Sequence, residues 1–169
     1  MKNYMFDTLE LSEYIVDSYL KENNREISAI KLQKVLYFLF AYWGSYVLNN
    51  EKGEVEEKLT NYKKYLFNDD IYAWTYGPVV KEIYKEFRDK KLKGSISRKS
   101  EKIFNNDINL KENIDGLMNE LFSISDFQLV GMSHLDNCWK SKYNANEKAY
   151  NNKMDKDEII DEYALKTLQ

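Results

Sequence analysis

Apolar residues recur at intervals of three and four along much of the chain, which is the period of a helix that buries one face. Leu11, Tyr14, Ile15 and Tyr19 form such a stripe behind Asp7, whose spacing to Glu10 fits a capping box, and Lys21 to Arg25 reads as the end of this first helix. Ser28 is placed to cap a second helix, in which Leu32, Val35, Leu36, Leu39, Trp43, Tyr46 and Val47 keep the same spacing. Phe38, Phe40 and Tyr42 fall between them, so this helix has apolar neighbours on more than one side and is expected at the centre of the fold. Glu51 to Lys58, with Gly53, reads as a solvated charged turn.

The rhythm changes at Tyr65. Two short aromatic and β-branched runs, Tyr65-Leu66-Phe67 and Ile71-Tyr72-Ala73-Trp74, flank the turn-prone Asn68-Asp69-Asp70. They predict a small β-hairpin or short antiparallel element around residues 60–76. Gly77-Pro78 then predicts a helix starting at Pro78, with Val79, Val80, Ile83, Tyr84 and Phe87 on its apolar face. Asn109 with Glu112 is placed to cap a helix bearing Ile114, Leu117, Met118, Leu121 and Phe122. Ser125 with Gln128 fits a capping box for a short helix ending near Gly131. Ser133 is placed to cap a turn or helix through Trp139 and Tyr143, and Asp155 with Glu158 opens a last helix with Ile159, Ile160 and Tyr163. The expected fold is mainly α (α+β), a compact helical domain of about six helices with one small β element.

Composition changes this picture little but narrows its chemistry. At 169 residues and 43% hydrophobic, one sizeable core is expected, and with one proline, six glycines and no Ser/Gly-rich stretch residues 1–169 read as a single domain. The 25 Lys+Arg against 28 Asp+Glu give a net charge of -3, too acidic for a generic nucleic-acid binder and too weakly acidic for a DNA mimic. One Cys and one His exclude an internal disulfide and a four-ligand Cys/His zinc site. Val35 to Trp43, the most apolar stretch, falls far short of the roughly 20 residues of a membrane span. Met1 to Glu10 has no uninterrupted apolar run, so no secretory signal is expected, and a reducing cytoplasm is the expected location. The bias toward Asn, Lys, Ile and Tyr, all with AT-rich codons, fits a low-GC bacterium or a phage or mobile element of one.

Candidate chemistry is sparse. His134 and Cys138 are four apart and would share a helix face, the minimum for a nucleophile and base, but no orienting group or oxyanion site is apparent. The bland alternative has His134 fixing a turn and Cys138 packing as a small apolar residue. Asp69, Asp70, His134 and Asp136 are a conceivable hard-metal set, although paired acids in a turn are usually turn formers. No glycine-rich phosphate loop is present, and no cofactor or metal is expected. Lys85 to Lys102 is locally basic, eight positive residues against three negative, and offers contact to phosphates or to an acidic partner. Among 14 Tyr and 3 Trp, the tryptophans are expected in the core and Tyr62, Tyr65 and Tyr72 as exposed partner contacts.

Three blocks carry a family resemblance. They are Lys31-Leu32-Gln33-Lys34-Val35-Leu36-Tyr37-Phe38, Ala73-Trp74-Thr75-Tyr76-Gly77-Pro78-Val79-Val80 running on to Glu82-Ile83-Tyr84, and Ser133-His134-Leu135-Asp136-Asn137-Cys138-Trp139. Together, over about residues 8–165, they resemble the Panacea domain of SocA-like antitoxins and phage-associated GepA-like proteins. The middle block is the most specific, because Trp-x-Tyr-Gly-Pro joins rare residues at fixed spacing. Ser133 stands where the family usually has Thr, and Cys138 where it commonly has Pro. By this resemblance Lys31, Gln33, Lys34, Trp74, Tyr76, Gly77, Pro78, Ser133, His134 and Trp139 form the signature, with a structural or partner-binding role. The resemblance implies a non-enzymatic antitoxin that neutralises a cognate toxin by direct contact, or presents it to a cytoplasmic protease. Alternatives are a phage-encoded inhibitor of a host defence protein such as a CRISPR nuclease, and a nucleic-acid-binding regulator using residues 85–102.

Overall fold

Every residue from Lys31 to Ala41 is buried, and this run forms the middle of a long helix, α2 (Ala29–Glu51). The computed structural model describes residues 2–51, 62–92, 94, 102–146 and 152–167. A helix buried on all sides needs partners on all sides. The chain supplies them in the order β1 (Tyr4–Phe6), α1 (Thr8–Asn23), α2, β2 (Tyr65–Phe67), β3 (Tyr72–Trp74), β4 (Gly77–Val79), α3 (Lys81–Arg88), α4 (Ile108–Phe122), α5 (Asp126–His134), the single turn α6 (Asn137–Lys140) and α7 (Lys156–Thr167). Helix α7 lies along α2 most extensively, and α4, α5, β2, β4, α1 and α3 complete the surround. The fold is therefore mainly α with a small β element, and α2 is its centre, as the spacing predicts.

Aromatic rings fill much of the space around that centre. Phe40 packs on Phe67 at 4.9 Å between centroids, and Tyr42 on Tyr163 at 5.1 Å. Phe6 and Tyr14 both meet the edge of Phe104. Gly44 permits the close approach of α7: a Cβ there would collide with Ile160 Cγ1 and Cδ1. Among the described residues, no helix is long and apolar enough to cross a membrane.

The β element differs from the expected pairing. Tyr65–Phe67 does not fold back on Tyr72–Trp74; it runs parallel to β1, Tyr4 opposite Tyr65 and Phe6 opposite Phe67. The reason is Asn68, whose Oδ1 accepts from Thr8 N (3.2 Å) and Thr8 Oγ1 (3.0 Å), so the Asn/Asp segment ties to the start of α1 instead of closing a hairpin. The hairpin lies one step later, with β3 antiparallel to β4 and Trp74 opposite Gly77 across the turn Thr75-Tyr76. Gly77, at φ +100, supplies the left-handed geometry that closes this turn.

No helix begins at Pro78, which sits in β4. Its missing N–H is tolerated because its register partner Ala73 turns its own amide outward, to Asn152 O at 2.8 Å. Helix α3 starts at Lys81. Helix caps follow expectation at Ser28, whose Oγ accepts from Lys31 N, at Ser125–Gln128, and at Asp155, whose Oδ1 accepts from the amides of Asp157 and Glu158. Elsewhere they shift. Asp107, not Asn109, caps α4 by accepting from Leu110 N, and Asp136, not Ser133, stands at the start of α6. Asp7 occupies the N-cap position of α1 but makes no side-chain cap bond; its carboxylate takes the Tyr4 hydroxyl. Helix α5 runs past Gly131 to His134, and the Glu51 to Lys58 turn lies outside the described residues beyond Glu51.

Gly44→Ala is expected to lower stability by about 1–3 kcal/mol, the cost of overpacking against Ile160. In an Ile160→Ala background the same change is expected to cost much less, because the collision with Ile160 is gone, helix propensity favours Ala and only the close approach of Lys64 O at 3.1 Å remains. A double-mutant cycle by urea unfolding checks the coupling.

Candidate functional site

Two neighbouring side chains of α2 hold the backbone of the β3–β4 hairpin and the strand-to-helix corner after it. Gln33 Oε1 accepts from Val80 N (2.8 Å), and its Nε2 donates to Val80 O (3.2 Å). The next residue, Lys34, donates from Nζ to Pro78 O at 2.6 Å. From α5 and α6, His134 Nε2 meets Thr75 O (3.0 Å) and Trp139 Nε1 donates to Trp74 O (3.0 Å). The His134 and Trp139 rings stack at 4.2 Å between centroids. Ser133 Oγ bonds Val130 O and lies against Gly77, where an added Cβ would strike both that oxygen and Lys34 Cε. The three sequence blocks thus converge on one hairpin. Lys31 is the exception: its Nζ donates to Phe122 O (3.0 Å) and Ile124 O and pairs with Asp126 at 3.5 Å, a cation closing the C-terminal end of α4.

Lys34 is 1% exposed, and among the described residues no carboxylate lies within ion-pairing distance of its ammonium. Burial lowers its pKa from 10.5 to about 7. It forms part of the wall of a cleft of about 280 Å³ bounded by the start of α2, the hairpin and α3. The other walls are mostly apolar, with Ile30, Trp74, Tyr76, Val79 and Tyr84 among them.

A second cluster joins α2, α6 and α7 at Asp136. Tyr37 and Tyr163 both donate to its Oδ2, at 2.5 and 2.7 Å, and Lys166 Nζ reaches Oδ1 at 2.6 Å. Burial, reinforced by that carboxylate, raises both tyrosine pKa values. Glu162 accepts from the amides of Asn137 (3.0 Å) and Cys138 (2.8 Å), completing the first turn of α6. The sequence pattern does not single out this cluster. Tyr37 and Asp136 lie inside the blocks and Tyr163 on an apolar helix face, but nothing in their spacing says that they meet.

The conceivable catalytic and metal sets are not assembled. His134 ends α5 and bonds Thr75 O, whereas Cys138 lies in α6, beyond the helix interruption at Leu135-Asp136, with its sulfur 3.4 Å from the Tyr37 hydroxyl. Burial pushes the Cys138 thiol up to about 12, which keeps it protonated near neutrality. Asp70 pairs with Lys153 at 3.6 Å and Asp69 N bonds Thr8 Oγ1, away from Asp136. Asp136, Cys138 and Glu162 do bring ligand-type atoms within 4.8 Å of one another. Both carboxylates are already taken by protein donors.

The aromatic residues also sort differently from expectation. Trp43 and Trp139 are buried and Trp74 is half-buried. Tyr62, Tyr65 and Tyr72 are half-buried rather than exposed: the Tyr62 hydroxyl bonds Asp107, that of Tyr65 bonds Asp157, and Tyr72 lies under the Lys81 ammonium. Three tyrosines are exposed among the described residues: Tyr76, 57% at the hairpin turn, Tyr46, 42% on α2, and Tyr84, 39% on α3; of these Tyr76 and Tyr84 stand on the cleft. Turn and helix periodicity mark neither as exposed.

Lys34 also sets a pH dependence. Its folded pKa of about 7 lies below the unfolded 10.5, so above pH 7 the unfolded chain holds more protons and stability is expected to rise from pH 7 to 9. Cys138 acts in the opposite sense, but only above the ordinary thiol value of 9.0. Urea midpoints across this window are expected to climb in the native chain and to stay flatter in Lys34→Met; equal slopes would show that Lys34 does not titrate in this way.

A family model described as "Antitoxin SocA-like, Panacea domain" matches residues 56–140. The match takes in the hairpin block and the Ser133 to Trp139 block, while Lys31 to Phe38 lies outside it and is joined to it by the Gln33 and Lys34 bonds. Searches of curated proteins and of solved structures gave no match. With half of its length covered by that model, including the hairpin on which its signature side chains converge, the chain belongs to the SocA-like antitoxin family of Panacea domains.

Proposed function

We propose that this protein neutralises a cognate toxin in the cytoplasm by stoichiometric binding, without making or breaking a covalent bond. Family membership carries the reading. The site supports it in two ways. The hairpin is fixed by side chains from α2, α5 and α6, so it presents a preorganised surface whose ordering cost is already met within the fold. Tyr76 and Tyr84, the kind of aromatic side chain that anchors protein interfaces, stand open on that surface.

Expressed alone, an adjacent small reading frame is expected to arrest growth, and co-expression of this protein to restore it through a complex that survives gel filtration. Tyr76→Ala and Tyr84→Ala are each expected to weaken that complex by about tenfold or more while leaving the helical circular dichroism unchanged. Failure to find a toxic partner, with copurification of a defence nuclease instead, would replace the toxin by a host target. Tight binding to random DNA that falls steeply with salt would move the function to nucleic acid.

A further inference from the structure

The cleft beside the hairpin has an unusual electrostatic composition. Its walls are mostly apolar, yet they include a lysine that is 1% exposed and whose hydrogen-bond partner among the described residues is a neutral carbonyl, Pro78 O. An ammonium has three donors, and a buried cation is stabilised chiefly by an opposite charge, which the described part of this chain does not bring to it. The one acid of the adjoining α5 N-terminus, Asp126, is occupied by Lys31 and Ser28. Along α3 the charges are mixed, Lys81, Lys85 and Arg88 beside Glu82 and Glu86, and Arg88, which pairs with Asp89 at 3.4 Å, has its guanidinium 5.9 Å from the centre of the Tyr84 ring at the cleft edge. A volume of about 280 Å³ is at the small end of ligand sites, the scale of one or two side chains rather than a cofactor.

We propose that this cleft receives an acidic side chain of the partner polypeptide, its carboxylate meeting the Lys34 ammonium and its apolar neighbours meeting Trp74, Tyr76 and Tyr84. The inference rests on the toxin-binding reading and names the chemistry that this site would recognise. Charge complementarity selects an acid, and the apolar walls select a polypeptide over a nucleic acid, whose phosphates are met by exposed rows of Lys and Arg rather than one enclosed lysine. The carboxylate supplies what Pro78 O does not, a charge-assisted partner in a setting of low dielectric.

The test uses the full chain, labelled with ¹⁵N, and two capped peptides, acetyl-Ile-Glu-Leu-amide and its Gln analogue. The Glu peptide is expected to shift the Trp74 indole resonance and the amides around the cleft, and to bind about tenfold more tightly than the Gln peptide. Lys34→Met is expected to bring the two affinities together, and Tyr84→Ala to weaken both alike. Equal affinities, no saturable binding of either peptide, shifts confined to another face, or stronger perturbation of the cleft by a thymidine oligonucleotide would each overturn the proposal. Because the discrimination is read first on the native chain, a poorly folded Lys34→Met leaves the test intact. Neutralisation is scored separately in cells: loss of peptide discrimination with neutralisation preserved removes this site alone, whereas discrimination without any toxic partner removes the antitoxin reading alone.

Discussion

The hairpin of this domain is held by side chains more than by its own strands. Two strands of three residues make a marginal unit in water. What fixes them is the set of bonds that Gln33 and Lys34 send from the central helix, joined by those of His134 and Trp139. Gln33 satisfies both the amide and the carbonyl of Val80, so the corner into α3 is buried without orphaned backbone groups. The three blocks that mark the family are, in this structure, one mechanical device distributed along the chain.

Much of the fold is legible because helices announce themselves locally. The buried faces of α1, α2, α4 and α7 follow from spacing alone, and the centrality of α2 follows from apolar residues on all its sides. The strands are not legible in the same way, because β1 and β2 pair across a separation that no local signal encodes. Asn68 looked like a hairpin residue and instead serves the first turn of α1. Gly77-Pro78 has the composition of a helix start, but the same glycine freedom suits a turn, and only the neighbouring strand decides between them. For the site, the residue types were legible and their convergence was not. Tyr62 and Tyr65 read as surface contacts because nothing local places Asp107 and Asp157 beside their hydroxyls.

Asp136 anchors the corner between α5 and α6. Its carboxylate gathers two tyrosine hydroxyls and a lysine, fixing where α6 begins relative to α2 and α7. Two residues after it stands Cys138, where the resemblance to the family leads to an expectation of proline. Here the cysteine amide donates to Glu162, a bond that proline lacks the hydrogen to make. The turn is therefore held by a hydrogen bond from α7 where a ring would otherwise restrict it.

The reliance of α2 on α7 bears on how the molecule is made. The central helix leaves the ribosome early, but the surface covered by Ile159, Ile160 and Tyr163 stays bare until the hairpin and four further helices have been synthesised. Such long-range closure slows folding and prolongs the period in which an apolar helix is open to proteases and chaperones. A nascent copy thus carries an uncovered apolar face on α2 until α7 has been made.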